Sequence, residues 1–515
     1  MKKLIALILA FTLVLSMTAC GKGNDGASND KPADSASSNT ETKADAQPSN
    51  GEAYEVTLMF PTLQSIPSED AIQRVEDFIN AYIKDSLGIT EFKLDLKFAS
   101  LFTYADDINL QLAAGDKMDI IYTGNLATAV TNGYLTDLTP YIDNELAGAK
   151  EVIKDWLSCG TTNGIVYAIP CYKGQVLSWK YIYDKQYVDG IGYDMSKVKS
   201  YKDLEPLFEA LKAAYPNEVF EVFCNQYPSL TSFAAHDSVV GTYFATQGDS
   251  TQLVNYFKTD SFKEACEIAY RHRQLGYADP EGSANTLSHD AVVMSGSSKG
   301  VIMGHAYSIE TIEQMFTMNN SYGGQFGAVE IAKSDMTTNT LTYGIPYTSK
   351  NPSAAAKMMN LIWTDETIAS ALIYGIEGED YVWNDDHTSI KYPDGLGIDT
   401  VPYSALYTCG AFGNQFLLYG FDGNTSNDDK DFMLKLIKEA WYPPLFGFIP
   451  SSANVSTQVA AVSNVYNQYY NSLTYGDVNP DEFLPQFLDA LDAAGINEIM
   501  ADYQAQVDAW VAQNK

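Results

Sequence analysis

The stretch Gly296-Ser-Ser-Lys-Gly300 has the G-x-S-x-G spacing. In hydrolases that spacing exposes a serine nucleophile on a turn from strand into helix. Here the residues that follow, VIMGHAY, read as a strand and a loop, so the serine falls in a polar turn between two apolar segments. The five histidines, His236, His272, His289, His305 and His387, lack the HxxxH or HxH spacing of a zinc site. Asp422 to Asp431 (DGNTSNDDKD) is acidic like a calcium loop. An EF-hand needs Gly at its sixth position and Glu at its twelfth, where this chain has Asn427 and Met433, so a solvated loop is expected. The basic cluster Tyr270-Arg-His-Arg273 lies late in a predicted helix, where the dipole favours cations. Carboxylates are so numerous that no pair stands out as a glycosidase couple. No spacing announces catalysis, and neither a metal nor a cofactor is expected.

Composition narrows the partners. The formal net charge of −33 makes nucleic acid an unsuitable partner and disfavours adsorption to anionic head groups. The only arginines are Arg74, Arg271 and Arg273. Arginine is the usual clamp for carboxylate and phosphate, so an anionic ligand is disfavoured. The 35 tyrosines offer flat faces with polar tips, which suit either sugar stacking or a wet core. Apart from Cys20 there are five cysteines: Cys159, Cys171, Cys224, Cys266 and Cys409. An odd number cannot all pair. They read as free thiols, with a Cys159–Cys171 bridge as the alternative.

The elements that must position any site have an α/β grammar. Val56 to Phe60 reads as a buried strand, Ser68 to Leu87 as an amphipathic helix and Phe92 to Ala99 as an alternating strand. Asp106 to Ala114 reads as a helix and Asp119 to Tyr122 as a third strand. The order argues for a mostly parallel sheet. Strands are then expected at Gln175 to Asp184, Val219 to Cys224, Val301 to Gly304 and Leu341 to Pro346. Helices are expected at Tyr201 to Tyr215, Ser261 to Leu275 and Ser353 to Thr364, and the chain beyond Asp428 reads as largely helical. So long a chain implies two lobes.

The N-terminus has a different character. Lys2 and Lys3 precede an apolar run, Leu4 to Leu15, that is shorter than the ~20 residues of a membrane-spanning helix. This is the pattern of a secretory signal. Met17-Thr-Ala-Cys20 resembles a bacterial lipobox, whose cysteine is lipidated and becomes the new N-terminus. The polar stretch from Gly21 to Glu52 reads as a disordered tether.

Several segments, in order, resemble the extracellular solute-binding proteins of ABC importers, in particular the maltose/oligosaccharide-binding family. They are LAAGDKMDIIY (Leu112 to Tyr122, with Met118 where the family usually has Pro), GYLTDLTP (Gly133 to Pro140), GIVYAIP (Gly164 to Pro170), YIYDK (Tyr181 to Lys185), KGVIMG (Lys299 to Gly304) and PSAAAK (Pro352 to Lys357). Beyond them, YGIEGEDY (Tyr374 to Tyr381), PLFGFIP (Pro444 to Pro450) and LDAAGINEI (Leu491 to Ile499) resemble the LipO- and LplA-like lipoprotein branch, which carries an additional C-terminal domain.

The resemblance implies an α/β, two-lobed periplasmic-binding-protein type 2 fold with hinge strands and a helical C-terminal region. Residues 1–19 would be the signal peptide, and 20–52 the lipidated cysteine and tether. Residues 53–175 with 328–375 would form lobe 1, and 176–327 with 376–515 lobe 2. Hinge crossings are expected near Gln175–Trp179 and Phe326–Val329. Carried over position by position, the ligand residues are Thr123 and Asn125 after the strand DIIY, then Tyr172 and Gln175 after YAIP. Tyr227 follows in an Asn225-Gln226-Tyr227 turn, and His305 and Tyr307 come after VIMG. This sequence has no Trp at that last position, where the family stacks an aromatic on the sugar. Trp441 and Trp179 are further candidates, and core packing is the competing role for every aromatic. The implied function is a non-enzymatic, lipid-anchored monomer on the extracellular face of the membrane. It would capture an oligosaccharide and deliver it to ABC transporter permease subunits. The alternatives are a peptide ligand or a surface-anchored carbohydrate-active enzyme.

Overall fold

The computed structural model describes residues 52–62, 65–174, 176–222, 237–284, 295–305, 325–336, 338, 341–406, 412–422 and 427–514. The signal, Cys20, nearly all of the tether, Gln175, the Asn225–Tyr227 turn, Tyr307, Cys224, Cys409, His236 and His289 lie outside them.

Strand β1 (Tyr54–Thr62) is buried without a break from Val56 onward, as a strand covered on both faces must be. Helix α1 (Glu69–Asp85) starts where the Ser68 hydroxyl accepts from the Ala71 amide, with Glu69 and Asp70 in the first turn. It buries Val75, Ile79 and Ile83 on one stripe. Strand β2 (Phe92–Ser100) alternates: Phe92, Leu94 and Leu96 point inward while Lys93 and Lys97 stay exposed, which suits a sheet edge. Helix α2 (Tyr104–Ala114), strand β3 (Ile120–Tyr122) and the short helix α3 (Leu126–Thr131) follow. Next come helix α4 (Ala147–Ile153), the hairpin of β4 (Thr161–Thr162) and β5 (Ile165–Val166), and strand β6 (Ala168–Pro170).

Strand β7 (Val176–Asp184) then enters a second sheet. It is followed by helices α5 (Lys185–Ile191) and α6 (Leu204–Ala214) and a small antiparallel sheet of β8 (Asp237–Val240), β9 (Phe244–Gln247) and β10 (Val254–Asn255). Helix α7 (Asp260–Gln274) and strands β11 (Gly300–His305) and β12 (Phe326–Met336) complete this part. β7 lies between β11 and β12, antiparallel to both. Of the expected strand Val219 to Cys224, residues 219–222 are described: Glu221 makes a parallel bridge to Ala278, the Phe220 amide donates to the Tyr277 carbonyl at 3.0 Å, and Phe220 and Val222 are buried.

The chain returns through β13 (Thr342–Gly344) and helices α8 (Pro352–Thr364) and α9 (Glu366–Tyr374). The first sheet has the order β2-β1-β3-β13-β6. Its first three strands are parallel, but β13 runs antiparallel to both β3 and β6, so the sheet is mixed. The C-terminal region holds helices α10 (Asn427–Glu439), α11 (Ser456–Thr474), α12 (Pro480–Ala493) and α13 (Ile496–Asn514). Asn427 to Asp431, read in the sequence as loop, begins α10.

Separate cores show where the chain changes lobe. Val176 and Met336 pack into the first-lobe core with Phe60, Leu94 and Trp363. Trp179, Tyr181 and Ile331, on the same two strands, pack into the second-lobe core with Phe208 and Phe220. On β7 the change of core lies between Val176 and Trp179. On β12 the stretch expected to cross, Phe326 to Val329, pairs with Asp184 to Tyr181 inside lobe 2. The chain leaves that lobe after Ile331, where two register shifts, between Glu330 and Ala332 and between Ala332 and Asp335, break the ladder. A third crossing follows α10. The Trp441 carbonyl accepts from the Met336 amide at 2.9 Å, Phe446 belongs to the first core, and Phe448 belongs to a further core formed by α11 to α13 with Phe257 and Phe262.

The sequence assigns residues 376–515 to lobe 2; among them Tyr381, Ile390, Tyr403, Phe421 and Ile437 are buried in the same core as Phe60 and Trp363. Asp380 fastens them there. Its carboxylate takes both Arg74 guanidinium nitrogens at 2.9 Å and the amides of Ile376 (2.9 Å) and Tyr403 (3.1 Å).

Candidate functional site

In open α/β sheets ligands bind outside the carboxyl ends of the parallel strands. β3 ends at Tyr122. The next residue, Thr123, donates its amide to the Thr342 carbonyl at 2.9 Å, and its hydroxyl lies 2.5 Å from the Thr342 hydroxyl. Asn125 is exposed, and its carbonyl oxygen accepts from the Thr128 amide at 3.0 Å, capping α3. The cap uses the oxygen, so the NH2 is what this side chain presents.

The other expected residues divide. The Tyr172 ring packs edge-on against Trp156 at 5.1 Å and, tilted, against Phe416 at 5.0 Å. Its backbone is tied to Gly413 (2.7 Å) and Gln415 (2.9 Å). Partial burial raises its phenol pKa. Tyr172 is thus half-buried packing at the lobe junction. Trp156 bridges it to the third crossing, contacting Phe446 and donating to the Tyr442 hydroxyl at 3.3 Å. Trp441 is half-buried beside that cluster in sequence. Trp179 is 2% exposed inside the lobe 2 core, so packing is its role. The His305 backbone pairs with Ser178 at the end of β11, and its side chain lies outside the described residues. The structure therefore places Thr123 and Asn125 at one strand end, with Tyr172 and Trp441 near the crossings.

A groove of about 540 Å³ lies between α3 of lobe 1 and the C-terminal helices. One side is α3 with the tip of the β4–β5 hairpin, and the other is residues 448–454 with α13. Asn163, Phe448, Asn454, Asp502, Gln506 and Trp510 supply its aromatic and hydrogen-bonding groups. The sequence reading missed all six. A signal was present: Asp502, Gln506 and Trp510 recur every fourth residue, which puts them on one helix face.

The decoys have structural partners. Ser298 is buried, and its hydroxyl bonds to the Gly300 carbonyl at 2.6 Å in a turn that leads into a strand. Each basic side chain of the cluster has a carboxylate partner: Arg271 with Glu205 (2.6 Å), His272 Nδ1 with Glu221 (2.7 Å), and Arg273 with Asp477. Arg271 also holds the Glu205 carboxyl below its usual range. Tyr201 donates to Glu221 at 2.6 Å, which closes a buried polar triad in the lobe 2 core. Cys159, Cys171 and Cys266 are buried and in no disulfide, so the Cys159–Cys171 bridge is not formed. Among the described residues no cluster of His, Cys, Asp or Glu could hold a metal, and no helix is long and apolar enough to cross a membrane.

Comparison with known proteins gives a family match. A model described as "Bacterial extracellular solute-binding protein" matches residues 84–368, and one described as "Domain of unknown function (DUF3502)" matches residues 444–512. The chain is 23% identical over 446 residues to a carbohydrate ABC transporter substrate-binding protein of Streptococcus pneumoniae, covering 85% of this chain and 87% of the relative. The crystal structure of the N-glycan transport solute binding protein NgtS of the same organism superposes with a TM-score of 0.72 at 20% identity, covering 90% of this chain and 100% of that one. Its complexes with Man1GlcNAc (TM-score 0.63, 20% identity, 89% and 99% covered) and Man5GlcNAc (0.60, 20%, 90% and 99%) share the fold. So does the S. pneumoniae substrate-binding protein FusA with kestose (0.56, 15%, 90% and 100%).

Proposed function

We infer the function from one premise: the chain belongs to the family of bacterial extracellular solute-binding proteins. It captures a neutral oligosaccharide between its two lobes and passes it to the permease subunits of an ABC importer. The observation that carries this reading is the architecture. Among the described residues, separate lobe cores are joined by three crossing segments, and Thr123 and Asn125 follow the carboxyl end of β3. Such a hinge lets a ligand hold the closed state. The glycan complexes of the similar streptococcal proteins support the ligand class. The scarcity of arginine supports a ligand without charge.

Thr123, Asn125 and Trp441, with Gln175, Tyr227, His305 and Tyr307, are the proposed ligand contacts, and Tyr172 shapes the wall behind them. No chemistry is proposed on the glycan, which leaves intact. The lipid on Cys20 would hold a monomer on the extracellular face, the tether 21–52 giving it reach. Mass spectrometry of the mature N-terminus tests the anchor: an unmodified Cys20, or cleavage elsewhere, refutes it. Thermal shift tests the ligand. Man1GlcNAc, Man5GlcNAc or kestose is expected to raise the melting temperature, by about 2.7 kcal/mol of stabilisation at a hundredfold excess over Kd. If only short peptides raise it, the oligosaccharide reading is wrong.

A further inference from the structure

We propose that Phe102, on the rim of lobe 1, is a sugar-stacking residue of the ligand site. It takes the outer residues of an extended neutral glycan whose inner end sits at Thr123 and Asn125. The proposal rests on the oligosaccharide reading and names a residue that this reading does not use.

Phe102 is 83% exposed, more than any other large apolar side chain among the described residues. An exposed Leu or Phe needs no explanation by itself. The place of this one gives it meaning. Strands β2, β1 and β3 are neighbours and parallel, so their carboxyl ends lie along one edge of the sheet. That is the edge at which open α/β sheets bind ligands. Thr123 follows β3 there, and Phe102 is the second residue after β2. Only β1 lies between, so the two strand ends are two strand spacings apart, about 10 Å. A glycan seated at Thr123 must therefore extend past its first sugar to reach the ring.

The turn that carries the ring is fixed. The Leu101 amide donates to the Thr62 carbonyl at 2.8 Å, and the Thr103 amide donates to the Ser100 carbonyl at 3.1 Å, which pins the backbone on both sides of Phe102. Tyr104 then opens α2 and is buried. Its hydroxyl donates to the Met59 carbonyl of β1 at 2.8 Å and accepts from the Tyr122 amide of β3 at 3.0 Å. Tyr122 directly precedes Thr123, so one side chain ties the Phe102 turn to the strand-end site. A ring pinned at its backbone and open to solvent offers a flat apolar face to a sugar at little entropic cost. Polar groups stand beside it. The Thr103 hydroxyl donates to Asp107 at 2.8 Å, which leaves its oxygen to accept from a sugar hydroxyl. Asp106 and Asp107, in the first turn of α2, make the rim negative, which repels an anionic ligand and suits a neutral glycan.

The test is calorimetric titration of the intact chain with Man1GlcNAc and Man5GlcNAc, comparing wild type with F102A, F102L and F102W. So exposed a side chain carries little of the fold, and the free variants are expected to melt with wild type. F102A and F102L are expected to weaken Man5GlcNAc by roughly tenfold, F102W to bind it at least as tightly as wild type, and all three to leave Man1GlcNAc unchanged. Man5GlcNAc binding that is absent in wild type, or unchanged in F102A, overturns the proposal, while Man1GlcNAc binding keeps the oligosaccharide reading. F102L that binds like wild type overturns the stacking, because apolar bulk would then suffice. An equal loss for both glycans overturns the outer placement. Wild type that binds neither glycan overturns the oligosaccharide reading itself, and the proposal with it.

Discussion

Asp380 is fully buried, and with Arg74 it ties a C-terminal excursion to the first helix of the chain. Removing the carboxylate leaves Arg74 with Glu379 as its remaining partner and strands two backbone amides, so D380A is expected to cost about 3 kcal/mol in denaturant unfolding. A neutral result would show that the 376–440 segment is held by its apolar contacts alone. The buried thiols give a pH prediction. Burial pushes Cys171 and Cys266 up to about 12, so both stay protonated through the ordinary pH range. Maleimide labelling mapped by mass spectrometry should leave both unmodified from pH 7 to 9 in the native protein and modify them after unfolding. Labelling in the folded state would contradict their burial. Residue roles were the least legible part of the sequence. Asn125 was singled out for ligand and is also the cap of α3, because one amide serves both ends. Trp179 and Tyr172 show why an aromatic's type cannot assign it: core and cleft use the same rings. The Asp502–Gln506–Trp510 face went unread because its significance depends on what lies opposite, and only the fold brings α3 and the β4–β5 hairpin there.

The elements themselves were mostly legible, because capping and periodicity are local. Ser68, Pro352 and the alternation of β2 mark their elements within two residues of the observed ends. Failures came where pairing is non-local. Val219 to Cys224 has a strand's composition, yet its described part, 219–222, makes one bridge, and on β12 the register breaks sit beyond the stretch that looked like a hinge. Gly447 offers a test at this scale. It lies between Phe446 of one core and Phe448 of another, at φ +90°, and an added Cβ would stand 2.2 Å from the Ser158 hydroxyl. G447A combines a forbidden φ with a clash, so it should lower stability by about 2 kcal/mol and weaken glycan binding through the misplaced crossing. A stable variant with unchanged affinity would show that this crossing plays no part in closure.

At the scale of the whole molecule, the two-lobed plan was readable from chain length, alternating strands and helices, and ordered family segments. The packing of residues 376–440 into the core of Phe60 and Trp363 was not, since an excursion that returns to that core leaves no local mark. The account makes the molecule a hinged trap: separate lobe cores, three crossings and ligand groups that follow the carboxyl end of β3. Ligand must then change the shape of the protein, and closure of this kind is a rigid-body motion about the crossings. Small-angle X-ray scattering of the intact chain with and without saturating Man5GlcNAc measures that directly. The account predicts a smaller radius of gyration in the presence of the glycan. An unchanged radius under conditions where calorimetry shows the site filled would contradict it.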